Sequence, residues 1–222
     1  MLIDRQKSLF IYSITRDLGF APNPFHGVCT LATCKPRIRK KAVVGDWIMG
    51  VGGANMKAQK RKCIFLMEVT SKMVFDEYFE SPDFLLKKPI RNGSRVRVLG
   101  DNIYHKSKDG SWIQEDSHHS NPDGTPNLKN QKTDAESTDQ VLVSKNFFYF
   151  GTEAKEIDLD SIGHHNRIRD YQRYLFHNNK FAYDEISRFT KKYSSARNLL
   201  QGDPVHFNLF DKRVDQQSGQ YV

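Results

Sequence analysis

The chain has 222 residues, of which 38% are hydrophobic and 27% are charged, and its formal net charge is +8. This composition is typical of a soluble globular protein, and the length suits one large domain, or one domain with an appendage, without metal or disulfide staples. No apolar run is long enough to cross a bilayer, and residues 1–12 lack the apolar core of a signal peptide, so we expect a cytoplasmic protein without membrane contact.

Strand-like segments dominate the first two thirds of the chain. Apolar and β-branched runs predict strands at residues 9–15, 28–32, 43–51, 64–70 and 140–151. Several glycines and prolines forbid regular structure between the first two strands, so a long loop is predicted there. A short aromatic helix is predicted at residues 75–84, and Gly100, Asp101 and Asn102 form a strong turn signal.

The remaining segments differ in character. Residues 106–138 are polar and predict an extended, mobile excursion held at its start by Trp112 and Ile113. From Ile168 onward, large apolar residues recur at helical spacing. The predicted strands come first along the chain and the helices follow, without βαβ alternation. This order predicts an α+β fold with a mostly antiparallel sheet or a small β-barrel. We predict a domain at residues 1–165 and a helical C-terminal extension at residues 166–222 packed on it.

Positive charge is concentrated in one segment. Residues 35–62 contain nine lysine or arginine residues and one acidic residue, which accounts for the whole net charge of +8. Such a patch is typical of a polyanion partner, most often nucleic acid, although a solvated basic face is the alternative.

The part of this segment that most specifically indicates phosphate binding follows the second predicted strand. Continued alternation there would put Lys35, Arg37 and Arg39 on one face, where they suit phosphate oxygens, and Lys40 extends the set. A charged strand edge that prevents aggregation is the alternative.

The three cysteines, Cys29, Cys34 and Cys63, include no CxxC pair and match no zinc-ligand spacing. This pattern favours a reducing compartment and predicts no metal site. Cys34 beside Lys35 is a candidate activated nucleophile. A buried structural cysteine is the commoner alternative.

Six segments in order along the chain resemble the second of the families named as nucleotide modification associated domains. After Tyr12 these are DLGFAPNPF from Asp17, TLATCKPRIR from Thr30, GDWIMGVG from Gly45, FDEY from Phe75, GDNIY from Gly100, and the run from VLV at Val141 to FYFG ending at Gly151. The resemblance covers residues 9–165. It implies a role in systems that modify nucleobases in DNA, chiefly of phages and bacteria, with a protein partner from such a modification or defence system as a further possibility.

The motif GDW, followed by an apolar strand, is also similar to the opening of barrels in the PUA, ASCH and EVE superfamily. This second resemblance implies a PUA-like β-barrel with a pocket for a flipped or modified base. The side chains expected to line that pocket are Asp17, Asn23, Phe25, Trp47, Asn102 and Tyr104. Local turns for Asp17 and Asn23, and a core position for Trp47, are the alternatives.

Acid–base catalysis is a separate hypothesis. The candidate catalytic residues are Asp17, Asp101, His118 and His164, with His119, His165 and Asp139 as the other members of the same possible groupings. Only one histidine of each adjacent pair is expected to face a given site. Surface histidines without a catalytic role are the alternative.

The leading hypothesis is a module that binds nucleic acid or nucleotides and recognises a modified base, with its basic patch on phosphate. The alternative is an enzyme that acts on nucleobases or nucleotides by carboxylate and histidine chemistry. The sequence carries no motif for ATP, dinucleotides, zinc hydrolysis or deamination, so it identifies no cofactor and leaves open whether the protein is an enzyme.

Overall fold

The computed structural model describes residues 3–165, 170–213 and 221. The strands are β1 (Ser8–Ile14), β2 (Cys29–Leu31), β3 (Trp47–Gly52), β4 (Cys63–Glu68), β5 (Ser71–Val74), β6 (Tyr104–Lys106), β7 (Trp112–Gln114), β8 (Gln140–Ser144), β9 (Phe147–Tyr149) and β10 (Gln172–Leu175). The α-helices are α1 (Pro36–Lys41), α2 (Phe75–Glu80), α3 (Arg95–Val98), α4 (Leu128–Gln131), α5 (Leu159–Ile162) and α6 (Lys180–Lys192). Short 3-10 helices lie at Lys57–Gln59, Pro82–Lys87, Gly151–Glu153, Ser194–Ala196 and Phe207–Leu209, and a π-helical turn lies at Lys132–Glu136.

The strands form three sheets. The central sheet has the order β10-β1-β3-β4-β9, in which β1 and β3 are parallel and the other neighbours are antiparallel. A second sheet has the order β2-β8-β5, and a two-stranded hairpin joins β6 to β7, all antiparallel. Because β1 and β3 run in the same direction, their carboxyl ends meet at one edge of the central sheet.

Three hydrophobic clusters separate the layers. Helix α6 covers one face of the central sheet, where Ile186 and Phe189 pack with Leu9 and Trp47. The second sheet covers the other face. A third cluster joins the far side of that second sheet to helix α2 and hairpin β6–β7. Strand β1 is buried almost throughout, since it is covered on both faces, which agrees with its nearly continuous apolar sequence.

The predicted α+β class and the mostly antiparallel pairing are confirmed. The expected β-barrel is not found, since the sheets formed by the described residues are open and divide their strands between two layers. Within the described ranges no helix combines the length and apolar character of a membrane span, and α6, the longest, has 13 residues.

The C-terminal segment is less helical than its sequence pattern predicts. Ile168, where the helical spacing begins, lies outside the described residues, and Gln172–Leu175 forms an edge strand on β1. Helix α6 then follows, with Asn179 accepting a hydrogen bond from the N–H of Ala182 at its start. The division at residue 165 stays a prediction.

Candidate active site

A cavity of about 390 Å³ lies at the carboxyl end of β1. Its wall is formed by parts of residues 12–21, 34–36 and 118–134, together with Asp170. The volume lies within the range of about 300–1,000 Å³ that is typical of small-molecule sites. The fold therefore assembles this cavity from segments that are far apart in the chain.

Cys34 lies on the turn that connects strand β2 to helix α1. Its φ angle is 56° and that of Lys35 is 38°, so two consecutive non-glycine residues adopt left-handed backbone conformations. Such conformations cost roughly 1–3 kcal/mol each and are concentrated at functional sites. A strained strand-to-helix turn is also how α/β-hydrolases expose their nucleophilic serine, although the local sequence here is different. The turn leaves the thiol half-buried at the cavity wall.

His119 links this thiol to a buried carboxylate. Its Nε2 atom lies 3.7 Å from Cys34 Sγ, and its Nδ1 atom lies 2.7 Å from Asp134 Oδ2. The other carboxylate oxygen, Asp134 Oδ1, accepts a hydrogen bond of 2.7 Å from the backbone N–H of Cys34. A thiol, an imidazole and a carboxylate in this order form the arrangement of nucleophile, base and orienting group.

Arg39 fixes the two chain segments that carry this cluster. The side chain is fully buried, and its Nε donates to the carbonyl of Cys34 at 2.8 Å. Its Nη2 donates to the carbonyl of Asp134 at 2.6 Å, and its Nη1 donates to that of Gln140 at 2.7 Å. Since a guanidinium offers five donors in a rigid fork, one residue holds three segments at once.

Tyr104 and polar residues of the 106–138 segment also hold His119 and Asp134 in place. Asn130 and Gln114 donate to the carbonyl of His119 at 2.7 and 3.2 Å, and the Tyr104 hydroxyl donates to Asp134 Oδ2 at 3.2 Å. Asp134 lies in the π-helical turn Lys132–Glu136. Turns of this kind occur frequently at functional sites.

The charges of the cluster are coupled. Burial alone would lower the pKa of His119, but the neighbouring Cys34 and Asp134 outweigh it and raise the pKa to about 10. Burial alone would raise the pKa of Asp134, but His119, Arg39 and the Cys34 N–H together hold it below its usual value. The site therefore favours a protonated imidazole beside an ionised Asp134.

His118 has the opposite electrostatic character. Its side chain also lines the cavity, and its Nδ1 atom lies 2.7 Å from the carbonyl of Lys212. Burial, aided by the neighbouring His119, lowers its pKa to about 3. The ring of Phe20 packs against both histidines, with centroid distances of 5.2 and 4.7 Å. Adjacent histidines thus have different protonation states at neutral pH.

The same three side chains are candidate metal ligands. One ligand atom each from Cys34, His119 and Asp134 lies within 4.8 Å of the others, and thiolate, imidazole and carboxylate are ligands that suit zinc. Both oxygens of Asp134 already accept hydrogen bonds, from Cys34 N–H, Tyr104 and His119. Ligation through Asp134 Oδ2 would compete with the bond that orients His119, and ligation through Oδ1 would compete with the bond from the Cys34 N–H.

Four further charged side chains line the cavity. Arg16, Lys35 and Lys129 contribute positive charge and Asp170 contributes negative charge. Lys35 Nζ lies 4.0 Å from Asp170 and 4.6 Å from the ring centre of Tyr12. Apart from the paired Asp134, the lining residues among those described carry more positive than negative charge.

The predicted loop residues Asp17, Asn23 and Phe25 do not line this cavity. Asp17 is buried and accepts hydrogen bonds from the Tyr149 hydroxyl and the Val205 N–H. Asn23 donates to the carbonyl of Leu99 at 2.9 Å. Phe25 is buried against Phe207, with ring centres 5.8 Å apart. Each of the three residues therefore contacts another part of the protein, and their role in a base pocket stays a prediction.

The residues predicted at the GDW and GDNIY motifs are also buried. Trp47 packs in the core under helix α6, and Asn102 donates to the carbonyl of Tyr78 at 2.8 Å. Asp101 accepts bonds of 2.6 and 2.8 Å from Thr30 and Tyr78. The Tyr104 hydroxyl donates to Asp134 and so contacts the cysteine–histidine–aspartate cluster. A base pocket at these residues stays a prediction.

The predicted catalytic grouping is not assembled. Of Asp17, Asp101, His118 and His164, all within the described part of the chain, only His118 lines the cavity. His164 is buried and its Nδ1 atom lies 3.1 Å from the Tyr174 hydroxyl. The four residues bond to different partners because their segments enter different layers of the fold.

The predicted phosphate-binding row also needs correction. Residues 36–41 form helix α1, so Lys35, Arg37 and Arg39 do not alternate along a strand. Arg39 is buried on three carbonyl oxygens and is not available to a phosphate. Arg37 and Lys40 are exposed, and Arg37 lies 3.8 Å from Asp170.

Sequence reasoning named Cys34 and the His118–His119 pair without connecting them, and it missed Asp134. His119 and Asp134 follow Cys34 by 85 and 100 residues. The segment that carries both has few apolar residues, so its hydrophobic pattern predicted an excursion. Only its many hydrogen-bonding side chains indicated that it could be held in place by polar contacts.

Fold and cavity together define an α+β protein with a cysteine–histidine–aspartate cluster at a small-molecule-sized site. A model of the family described as nucleotide modification associated domain 2 matches residues 6–211. The chain therefore belongs to this family, whose name points to involvement in nucleotide modification, and the match extends beyond residue 165 into the C-terminal segment. Searches of curated proteins and of solved structures found no match in either set.

Proposed function

We propose that this protein is an enzyme that modifies nucleotides with Cys34 as a covalent nucleophile. The observation that carries this proposal is the position of His119 between Cys34 Sγ, at 3.7 Å, and Asp134 Oδ2, at 2.7 Å, in the wall of a cavity. The family supplies the nucleotide context. The electrophile is a carbonyl or amidine carbon of a nucleobase or of a group attached to one.

In the proposed reaction, His119 Nε2 already holds the proton that the Cys34–His119 pair shares, and the sulfur attacks the electrophilic carbon. An S–C bond forms, the bond to the leaving group breaks, and His119 returns the proton to that group. Water or an acceptor nucleophile then attacks the S–C carbon and releases the thiol. Asp134 keeps Nδ1 of His119 protonated, so that Nε2 faces the sulfur.

The thiol can be tested before the substrate is known, by using p-nitrophenyl acetate as the acyl donor. Cys34 attack should release p-nitrophenolate, leave an acetyl thioester on Cys34 and then return the thiol with acetate as the second product. We expect a burst of one p-nitrophenolate per chain, together with an acetylated Cys34 peptide in mass spectrometry. Cys34→Ser should abolish both, and His119→Gln should slow the burst by about 10²-fold or more.

Removing or adding zinc distinguishes a nucleophilic Cys34 from a Cys34 that serves as a metal ligand. If the burst is unchanged by a chelator and inhibited by added zinc, the thiol acts as a nucleophile. A reaction that requires zinc and leaves Cys34 unmodified would contradict the proposal and favour a metal-bound hydroxide instead.

Nucleic-acid binding is a second candidate, supported by the exposed Arg37 and Lys40 on helix α1 and by Lys35 beside them. In this alternative, α1 contacts phosphates while a modified base enters the neighbouring cavity. Binding to single-stranded and duplex DNA should weaken as salt rises, and Lys40→Met should reduce the salt dependence. Salt-independent binding, or an unchanged slope in that variant, would contradict it. Lys180→Met, on the exposed start of α6, is the control.

A further inference from the structure

The cavity that contains Cys34 has two chemically different parts. Arg16, Lys35 and Lys129 contribute cationic groups to its lining. Leu18, Phe20 and Ala21 contribute an apolar wall on the same cavity. Such a division suits a ligand with an anionic group at one end and a flat apolar ring at the other.

The cationic part comes from three separate segments. Arg16 follows strand β1, Lys35 begins helix α1, and Lys129 lies in helix α4. The nearest lining carboxylate outside the active cluster, Asp170, lies 4.0 Å from Lys35 Nζ and so offsets part of the charge. Three cationic side chains thus accompany one carboxylate in this part of the lining, and phosphate is the anion that both lysine and arginine bind well.

The apolar part lies next to the reacting groups. Phe20 is 3% exposed, and its ring centre lies 4.7 Å from that of His119. His119 in turn contacts the Cys34 thiol. A ring that occupies this apolar end of the cavity would therefore be close to the sulfur.

We infer that the cavity binds one nucleotide unit, with its phosphate on Lys35, Lys129 and Arg16 and its base at the apolar end lined by Leu18, Phe20 and Ala21. This inference rests on the proposed function and adds the orientation and size of the substrate. The volume of about 390 Å³ is at the small end of ligand sites, which suits a single nucleotide and excludes a duplex from the cavity itself. A free nucleoside monophosphate and an unstacked nucleotide within a single strand share this chemistry.

Protection of Cys34 from iodoacetamide tests the inference. The full chain is alkylated in the presence of a nucleoside 5′-monophosphate, the matching nucleoside, inorganic phosphate or a short single-stranded oligonucleotide. Alkylation of the Cys34 peptide is followed by mass spectrometry. We expect the monophosphate or the oligonucleotide to protect at much lower concentration than the nucleoside or phosphate alone. The more potent of the two identifies the source of the unit.

Lysine variants locate the phosphate. Lys35→Met and Lys129→Met keep the side-chain length and remove the charge, and each should weaken protection by roughly two- to tenfold. Lys180→Met, which does not line the cavity, should leave protection unchanged. Equal protection by nucleoside and monophosphate, or full protection in both cavity variants, would overturn the inference.

The two proposals can fail separately. The alkylation rate of Cys34 without ligand reports on the nucleophile, and the protection reports on nucleotide binding. Calorimetric titration of Cys34→Ser with the same monophosphate measures binding even if the thiol reacts slowly. If the monophosphate produces no binding heat in that titration, the inference is overturned directly.

Discussion

Cys34 combines three local features that distinguish it from the other two cysteines. Its backbone has a φ angle of 56°, its N–H is held by Asp134, and its sulfur contacts an imidazole. The other two cysteines are fully buried, and burial raises the pKa of both thiols, to about 12 for Cys29. Reactivity is therefore expected at one thiol of the three.

The buried hydroxyl of Tyr12, in the cavity wall, can be removed by a single substitution that changes little else. No partner for this hydroxyl exists among the described residues, so Tyr12→Phe removes an unsatisfied polar atom. We expect the free energy of unfolding in urea to stay equal or to rise by about 1 kcal/mol. Tyr149→Phe is the control, because its hydroxyl donates to Asp17, and it should lower stability by roughly 1–3 kcal/mol. A large loss in Tyr12→Phe would show that this hydroxyl has a partner.

His118 should make stability depend on pH in the acid range. Its pKa in the folded state is about 3, below that of an unfolded histidine at about 6.5, because burial disfavours the charged form. The unfolded chain therefore binds more protons between these values, and stability falls as pH decreases through this window. In His118→Asn, which cannot titrate but can donate to Lys212, we expect a shallower fall, by up to about 1.4 kcal/mol per pH unit. Parallel curves for the two proteins would contradict this.

At the scale of elements, helix α1 is short but fixes the site. Arg39 lies in its middle, is fully buried, and bonds the carbonyls of Cys34, Asp134 and Gln140. The helix thereby connects the β2 turn to the π-helical turn that carries Asp134. Its exposed neighbour Lys40 makes none of these contacts.

Replacing Arg39 should damage both stability and the reactive cluster. In Arg39→Met three buried carbonyls lose a charged donor, and we expect a loss of about 3 kcal/mol in the free energy of unfolding. Arg39→Lys should retain part of the stability but slow the p-nitrophenyl acetate burst, since one ammonium cannot reproduce the fork. Lys40→Met is the matched control and should change stability by less than about 0.5 kcal/mol. An unchanged burst in Arg39→Lys would refute the positioning role.

The strands were predictable from sequence because their signal is local. Residues 9–15 are apolar and β-branched, and β1 spans Ser8–Ile14. The burial of Arg39 was not predictable from local sequence, because a charged residue in a basic run predicts exposure. Its burial depends on carbonyls from residues about 100 positions away. The same applies to Asp134, whose partners come from four distant positions along the chain.

At the scale of the whole molecule, the concentrated positive charge is partly neutralised by folding. Arg61 contacts Asp160, and Lys62 lies 3.0 Å from Glu156. Lys35 and Arg37 lie within 4.0 Å of Asp170. The basic segment seen in the sequence therefore becomes a smaller cationic region around the cavity and helix α1.

The layered fold accounts for the place of the site. Buried clusters on both faces of the central sheet hold β1 rigid, and the cavity begins where β1 ends. The second sheet positions Cys34 through β2, and the polar segment after β7 supplies His119 and Asp134. Precise side-chain geometry is thus built on rigid strands and completed by a hydrogen-bonded loop.

The most direct test of the central claim is the rate at which iodoacetamide alkylates each cysteine at neutral pH, in the wild type and in His119→Gln. We expect Cys34 to react at least about tenfold faster than a free thiol, while Cys29 and Cys63 stay unmodified. In His119→Gln the Cys34 rate should fall to that of an ordinary half-buried thiol. Equal Cys34 rates in the two proteins, with both folded, would contradict the account.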